Sequence, residues 1–210
     1  MYVRHSARIP IWVITTLLLL SIAGCKSQEN SEEIDIEALE QRLEQGDLLF
    51  RRGTGVVGHI VTSIDNRGNY SHVGIAVIKE GAWHVVHAVP HEPEFDGDID
   101  RVKCERLESF VGRYRNGIVG HYRVETDPKH RAVAAENALR LSTMLIPFDH
   151  DYNLEDSTAF YCTELVEYLY QLSDISLSEG RRTNVSFPSL SGEYIMPSDL
   201  TESTVLKPIY

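Results

Sequence analysis

The sequence predicts an α+β protein in which helices pack against an antiparallel sheet. Two strand patterns, His72 to Lys79 and Trp83 to Ala88, follow each other directly, and Glu80-Gly81 between them has the length of a hairpin turn. Helical patterns come mostly later, from Lys129 to about Met144 and around Cys162. Strands joined by tight turns pair antiparallel, and helices segregated from strands are typical of the α+β class.

The remaining elements follow from apolar spacing and from helix start and stop residues. Ile36, Leu39 and Leu43 recur at helical spacing before Gly46, and Asp127-Pro128 supplies a cap and a first-turn proline for the helix at Lys129. The other expected elements are a strand at Asp47–Arg51, a helix at Val57–Ile64, a surface loop at Pro90–Asp100, a strand near Val102, a helix at Leu107–Val111, a strand at Ile118–Val124, a loop at Phe148–Asp156 and an extended tail beyond Asp174.

The first 24 residues have the pattern of a secretory signal peptide. Arg4 and Arg8 precede a short apolar stretch, Ile9 to Leu20, and small residues then lead directly to Cys25. Small residues before a cysteine resemble the lipobox of bacterial lipoproteins, in which that cysteine is acylated and becomes the mature N-terminus. We therefore expect residues 1–24 to be removed, residues 25–34 to form a polar tether, and residues 35–210 to form one domain.

The resemblance to lipoproteins implies a membrane partner and a compartment. Two or more acyl chains hold a protein stably on a bilayer. Lys26, rather than aspartate, follows the acylated cysteine, which resembles sorting to the outer membrane; the face on which the protein lies stays open. A formal net charge of −11 disfavours a nucleic-acid partner, because such a protein needs a basic face to displace counterions from phosphate, and we expect none.

Three cysteines are present, and lipidation of Cys25 would leave Cys104 and Cys162. A disulfide between these two is possible in an oxidising compartment, but Cys104 lies in a strand-like stretch and is better explained as a packed thiol.

Cys162 and His72 have the character of a nucleophile and its base. Cys162 opens an apolar helix and His72 opens a strand, which is the arrangement used by cysteine hydrolases. If Ser157 or Thr158 caps the helix, Cys162 falls in its first turn, where the helix dipole and a protonated imidazole would lower the thiol pKa. Backbone amides near Cys162 could stabilise an oxyanion during acyl transfer.

The motifs around these residues resemble the circularly permuted branch of the NlpC superfamily of papain-like hydrolases, with the histidine before the cysteine. They are Tyr161-Cys162-Thr163-Glu164-Leu165-Val166 and His72-Val73-Gly74-Ile75, within a resemblance from Gly46 to about Tyr170. The resemblance implies a permuted papain-like fold with the catalytic helix against the sheet. It also implies that the third catalytic residue is His87, directly before Ala88 on the next strand; permuted members of the YiiX and YebB type often have glutamate there.

The family resemblance implies a lipid-anchored thiol hydrolase without a cofactor. Cys162 would attack an amide carbonyl of a peptidoglycan peptide or an N-acyl compound, His72 would move the proton, and His87 would orient His72. Tyr161 or Tyr152 could assist the oxyanion. Two alternatives stay open: ester hydrolysis or acyl transfer on lipid, as in the related lecithin retinol acyltransferase branch, and an envelope binding module without turnover.

A zinc site is a competing interpretation of the histidines. His84, His87 and His91 could converge with Cys104 on a metal. Pro90 breaks any helix that would align them, and residues 84 and 87 of a strand point to opposite faces. We therefore expect no metal.

Overall fold

A computed structural model of the protein describes residues 34–53, 56–65, 67–113, 119–155, 157–186 and 191–209. Six strands form one antiparallel sheet in the order β4-β3-β2-β1-β5-β8, and two short strands form a separate hairpin. The strands are β1 (Leu48–Arg51), β2 (His72–Lys79), β3 (Ala82–Val89), β4 (Arg101–Arg106), β5 (Val119–Val124), β6 (Thr183–Val185), β7 (Gly192–Tyr194) and β8 (Leu206–Pro208). The helices are α1 (Ile36–Glu40), α2 (Val56–Ile64), α3 (Leu107–Gly112), α4 (Pro128–Ser142), α5 (Cys162–Gln171) and α6 (Pro197–Thr201).

Strands β2 and β3 form the predicted hairpin. Glu80 and Gly81 have φ angles of 53° and 77°, and Lys79 pairs with Ala82. A two-residue turn with positive φ at both positions matches the right-handed twist of the strands it joins. The hairpin fixes the register that brings His72 and His87 onto one face of the sheet.

The two faces of the sheet bury different cores. Alternate residues of the strands, such as Phe50, Ile75 and Val86, pack against α4 and α5 in the larger core. The intervening residues pack with α1 and α3 in a smaller core that contains Leu49 and Phe110. This alternation follows from the period of two in a strand. It places the polar side chains of Arg51, at the end of β1, and His72, at the start of β2, on the smaller-core face.

Helix α5 lies against the sheet through an apolar stripe. Leu165, Val166 and Leu169 recur at helical spacing and are fully buried in the larger core. The stripe anchors the helix, so its N-terminus is held beside β2.

Gly74 allows β2 and β3 to approach closely beside His87. A Cβ atom added at this position would lie 2.5 Å from Val85 Cγ1 and 3.1 Å from the Cβ of His87. Because no side chain fits at the first of these distances, the glycine in the His-Val-Gly-Ile motif has a steric role.

The prediction for the C-terminal part was wrong in one respect. The chain beyond Asp174 is not simply extended: it forms β6, β7, α6 and β8, and β8 pairs with β5 as the sixth strand of the main sheet. These elements are short, and only tertiary pairing stabilises them, so single-chain periodicity gives little sign of them.

The predicted signal peptide and nearly all of the predicted tether lie outside the described residues. Within the described ranges, every helix is too short or too polar to cross a membrane.

Candidate active site

His72 is the first residue of β2, the third strand of the sheet, and lies opposite Arg51 of β1 in the antiparallel register. Its side chain is almost fully buried. A central strand paired on both sides is a rigid support, so the imidazole is held in a fixed position.

Cys162 is the first residue of α5, and Tyr161 is the N-cap. The carboxylate of Glu164 accepts a hydrogen bond from the Tyr161 amide at 3.2 Å. The prediction that Ser157 or Thr158 caps this helix was wrong, because residues 157–159 form a bend and Phe160 forms a parallel bridge with Phe148, so the helix begins only after Tyr161.

The fold brings the cysteine to the histidine strand. Cys162 and His72 line the same cavity, and the amide of Val73 donates a hydrogen bond to the Cys162 sulfur. Residues 90 positions apart in sequence therefore meet at the junction between the start of β2 and the start of α5.

His87 of β3 contacts His72 directly. His72 Nε2 and His87 Nδ1 are 2.8 Å apart and share a hydrogen bond, with the two rings nearly perpendicular. On the far side of His87, Nε2 lies 3.0 Å from Oε1 of Glu105, with the oxygen displaced from the direction of the ring N–H. Because His72 uses Nε2 for its contact with His87, Nδ1 is the other nitrogen of the His72 ring and does not contact His87.

A buried group of charges surrounds this pair of imidazoles. Arg51 Nη2 lies 2.6 Å from Glu92, and Arg51 Nη1 lies 3.8 Å from Glu105. Arg113 forms ion pairs with the same two carboxylates. The guanidinium of Arg51 also lies 4.4 Å from the centre of the Phe110 ring. Two cations and two anions thus balance each other behind His87.

Burial and nearby charge set the protonation of the two reactive groups. Burial, the Arg51 and Arg113 guanidinium groups and His87 hold the pKa of His72 well below its usual range. Burial raises the pKa of Cys162 to about 11, although the amides of Val73 and Thr163 partly offset this effect. The prediction of a lowered thiol pKa was therefore wrong, because desolvation outweighs the helix N-terminus. Both shifts favour a neutral thiol and a neutral imidazole in the resting site.

This protonation state predicts how Cys162 responds to pH. We expect alkylation of Cys162 by iodoacetamide to rise by about tenfold per pH unit between about pH 6 and about pH 9, because the thiolate fraction grows with pH below the thiol pKa. Mass spectrometry of the Cys162 peptide measures the rate separately from Cys104, and Cys162→Ala provides the blank. A rate that levels off below pH 7 would show a stable thiolate and contradict the assignment.

The two tyrosines near the thiol occupy different positions. The hydroxyl of Tyr161 accepts a hydrogen bond from the Ile195 amide at 3.0 Å, so it ties α5 to the segment before α6. Tyr152 is half-buried, its ring packs against Tyr161, and the nearby Cys162 adds to the burial that raises the pKa of Tyr152 to about 12. A role for either hydroxyl at an oxyanion stays a prediction.

The cavity beside Cys162 is strongly apolar. It has a volume of about 220 Å³. Its described lining includes aliphatic and aromatic side chains but no aspartate, glutamate, lysine or arginine: Ile60, Val61, Ile64, Ser71, His72, Pro90, Phe148, Tyr152, Tyr161, Cys162, Thr163, Val185, Tyr194, Ile195, Met196 and Pro197. An apolar group is therefore favoured over an ionic one next to the sulfur.

The other cysteine and histidines of the zinc interpretation do not converge. Cys104 is a free thiol on β4 that packs against the larger core. His84 and His87 are three residues apart on β3 and so face opposite sides of the sheet, and His91 is exposed in the loop after β3.

A different group of potential metal ligands is present in the described part of the chain. Atoms of His87, Glu92 and Glu105 lie within 4.8 Å of one another. Both carboxylates are already paired with Arg51 and Arg113, whose positive charges would repel a cation. The donor set therefore does not fit a metal.

Glu105 and its two arginine partners were missed by the sequence analysis. Glu105 pairs with Val85 in the β3–β4 register, so it lies on the same face as His87, two residues along the strand. The alternating pattern of β4 could have indicated this face, but the register between the two strands could not be read from the sequence.

Comparisons with known proteins agree with this architecture. The sequence profile described as "Permuted papain-like amidase enzyme, YaeF/YiiX, C92 family" matches residues 42–209. The crystal structure of the metalloprotein yiiX from Escherichia coli O157:H7 superposes with a TM-score of 0.63 at 20% identity, covering 80% of this chain and 96% of that one. No curated protein matches the sequence. The predicted fold class and the prediction of a cysteine amidase are confirmed, and the chain belongs to the C92 family of permuted papain-like amidases.

Proposed function

We propose that this amidase is anchored to the cell envelope by lipid on Cys25 and cleaves amides that carry an aliphatic acyl group. The anchor rests on the signal pattern that ends at Cys25. The substrate class rests on one observation, which is the apolar cavity beside Cys162. Stem peptides of peptidoglycan carry charged groups, and the described lining has no charged side chain to bind them, so the acyl alternative is favoured.

The proposed reaction has two steps. In the first, His72 Nδ1 takes the proton of Cys162 as the sulfur attacks the amide carbonyl, and the same proton passes to the departing amine. In the second, water attacks the thioester, gives a proton to His72 and releases the carboxylic acid, and the proton returns to sulfur. A neutral base and a neutral thiol are the protonation states that this sequence requires at its start.

In the proposed mechanism, backbone amides at the start of α5 stabilise the oxyanion that forms from the carbonyl oxygen. The backbone N–H groups of Cys162 and Thr163 approach the sulfur. Free N–H groups at a helix start are suited to stabilising the negative oxygen of a tetrahedral intermediate. The E. coli structure is described as a metalloprotein, but this mechanism uses no metal because guanidinium groups occupy the carboxylates that could hold one.

The proposal is tested with N-acyl 4-nitroanilides from acetyl to dodecanoyl. We expect kcat/KM to rise by about fourfold for each added methylene until the cavity is filled, which corresponds to the free energy of burying one methylene. Ile64→Trp, which narrows the cavity, should shift the optimum to shorter chains. Ile78→Trp, at an exposed site on β2 outside the cavity lining, is the matched control.

Three other results would contradict the proposal or favour another function. Cleavage of stem peptides with no gain from acyl length would contradict the acyl assignment. Faster turnover of the matched nitrophenyl esters, with no amide cleavage, would favour the second candidate, a lipid ester hydrolase or acyltransferase, since the cavity accepts the same chain in either linkage. Binding of acyl chains without any Cys162 adduct would indicate a binding module.

A further inference from the structure

Three side chains form a continuous line from the base to a buried anion. His72 Nε2 lies 2.8 Å from His87 Nδ1, and His87 Nε2 lies 3.0 Å from Oε1 of Glu105. All three side chains are nearly or fully buried. In the contact between the two ring nitrogens, one nitrogen carries the hydrogen and the other accepts it, so the tautomer of one neutral ring fixes that of the other.

Of these three side chains, Glu105 is the one that can act only as a hydrogen-bond acceptor. Burial opposes its charge, but contacts with His87 and Arg113 outweigh burial and lower the pKa of Glu105 to about 2. An ionised carboxylate only accepts hydrogen bonds. The nitrogen that faces it, His87 Nε2, therefore carries a hydrogen.

The consequence passes through His87 to the base. A neutral His87 with hydrogen on Nε2 has a lone pair on Nδ1, so His72 must donate from Nε2. A neutral His72 with hydrogen on Nε2 has its lone pair on Nδ1, which is the nitrogen needed to take the thiol proton. With the hydrogen positions reversed along the line, Nδ1 of His72 would carry a hydrogen and could not act as a base.

We propose that Glu105 is a positioning residue. It selects the tautomer of His72 through His87, although both imidazoles stand between Glu105 and the Cys162 thiol. This inference rests on the proposed roles of Cys162 and His72. Arg113 and Arg51 then have a defined function: they keep Glu105 ionised and hold its oxygens in place. His87 transmits the choice of tautomer rather than supplying charge.

Glu105→Gln tests the inference because it keeps the size of the side chain. Arg113 donates to this group, so the glutamine oxygen should face Arg113 and its NH₂ should face His87. A donor at this place reverses both tautomers. We expect kcat to fall by about 100-fold or more with KM nearly unchanged, as is typical when a general base is lost. Glu108→Gln, at an exposed site on α3, is the control and should keep full activity.

Nitrogen-15 NMR of the histidine rings separates tautomer selection from a merely structural role. In the wild-type protein, His72 should have a hydrogen on Nε2 and none on Nδ1; in Glu105→Gln this should reverse, with assignment by comparison with His72→Gln. A wild-type His72 with hydrogen on Nδ1, or a Glu105→Gln variant that loses activity with unchanged tautomers, would overturn the inference. The spectrum needs no turnover, so it holds its meaning even if Cys162→Ala proved fully active and the proposed function failed.

Discussion

Cys162→Ser should lower kcat/KM for an acyl amide by about 10⁴-fold or more, since a nucleophile whose removal disables the whole catalytic unit accounts for most of the rate. A serine hydroxyl holds its proton far more tightly than a thiol does, and the lowered pKa of His72 makes this imidazole a weak base for removing it. The measurement is steady-state hydrolysis of the best nitroanilide.

The second cysteine of the described domain provides the control for this loss. Cys104 packs against the larger core, on the opposite face of β4 from Glu105. The Cys104→Ser variant should therefore keep the kcat/KM of the wild-type protein. Intact mass spectrometry during turnover should show an acyl adduct in wild type that maps to the Cys162 peptide and is absent from Cys162→Ser. Equal activity of the two serine variants would refute nucleophilic catalysis by Cys162.

Arg51→Met should destabilise the protein by about 3–5 kcal/mol, which is typical when one partner of a buried ion pair is removed. The side chain of Arg51 is 2% exposed and contacts Glu92, the carbonyl of Phe110 at 3.0 Å and, more distantly, Glu105. Its loss removes one of the two guanidinium groups that pair with the buried carboxylates of Glu92 and Glu105. Thermal unfolding should show a Tm lower by about 10 °C for a domain of this size.

An exposed arginine separates the effect of burial from that of charge. Arg106 pairs with Glu108 on the surface, where both side chains are about half exposed, and Arg106→Met should change Tm very little. If the Arg51→Met variant cannot be produced as folded protein, adding Glu92→Gln to it should partly restore folding, because the second change removes the charge of one of the two carboxylates. Similar Tm values for the two methionine variants would contradict a structural role for the buried charges.

The elements that carry the site could be predicted where local patterns are strong. The strand from His72 to Lys79 and its turn at Glu80-Gly81 have strict apolar runs and a turn that needs positive φ, and both were predicted at the correct residues. Cys162, His72 and His87 were selected by residue type and motif. The structure brings the three together, while their catalytic roles stay predictions.

The features that were missed depend on contacts between distant segments. The position of Glu105 depends on the β3–β4 register, and the cap at Tyr161 depends on the bridge between Phe148 and Phe160. The thiol pKa was misjudged for the same reason. A helix start is visible in the sequence and favours the thiolate, but the burial that overrides it is a property of the assembled cavity.

The order of elements along the chain separates the residues proposed to move protons from the proposed nucleophile. Arg51, His72, His87 and Glu105 all come from the continuous stretch between β1 and β4, while Cys162 comes from a later stretch that begins after α4. The residues proposed to move protons and the proposed nucleophile therefore lie in two separate stretches of the chain, and a crossover between β4 and α5 would exchange one set while leaving the other unchanged.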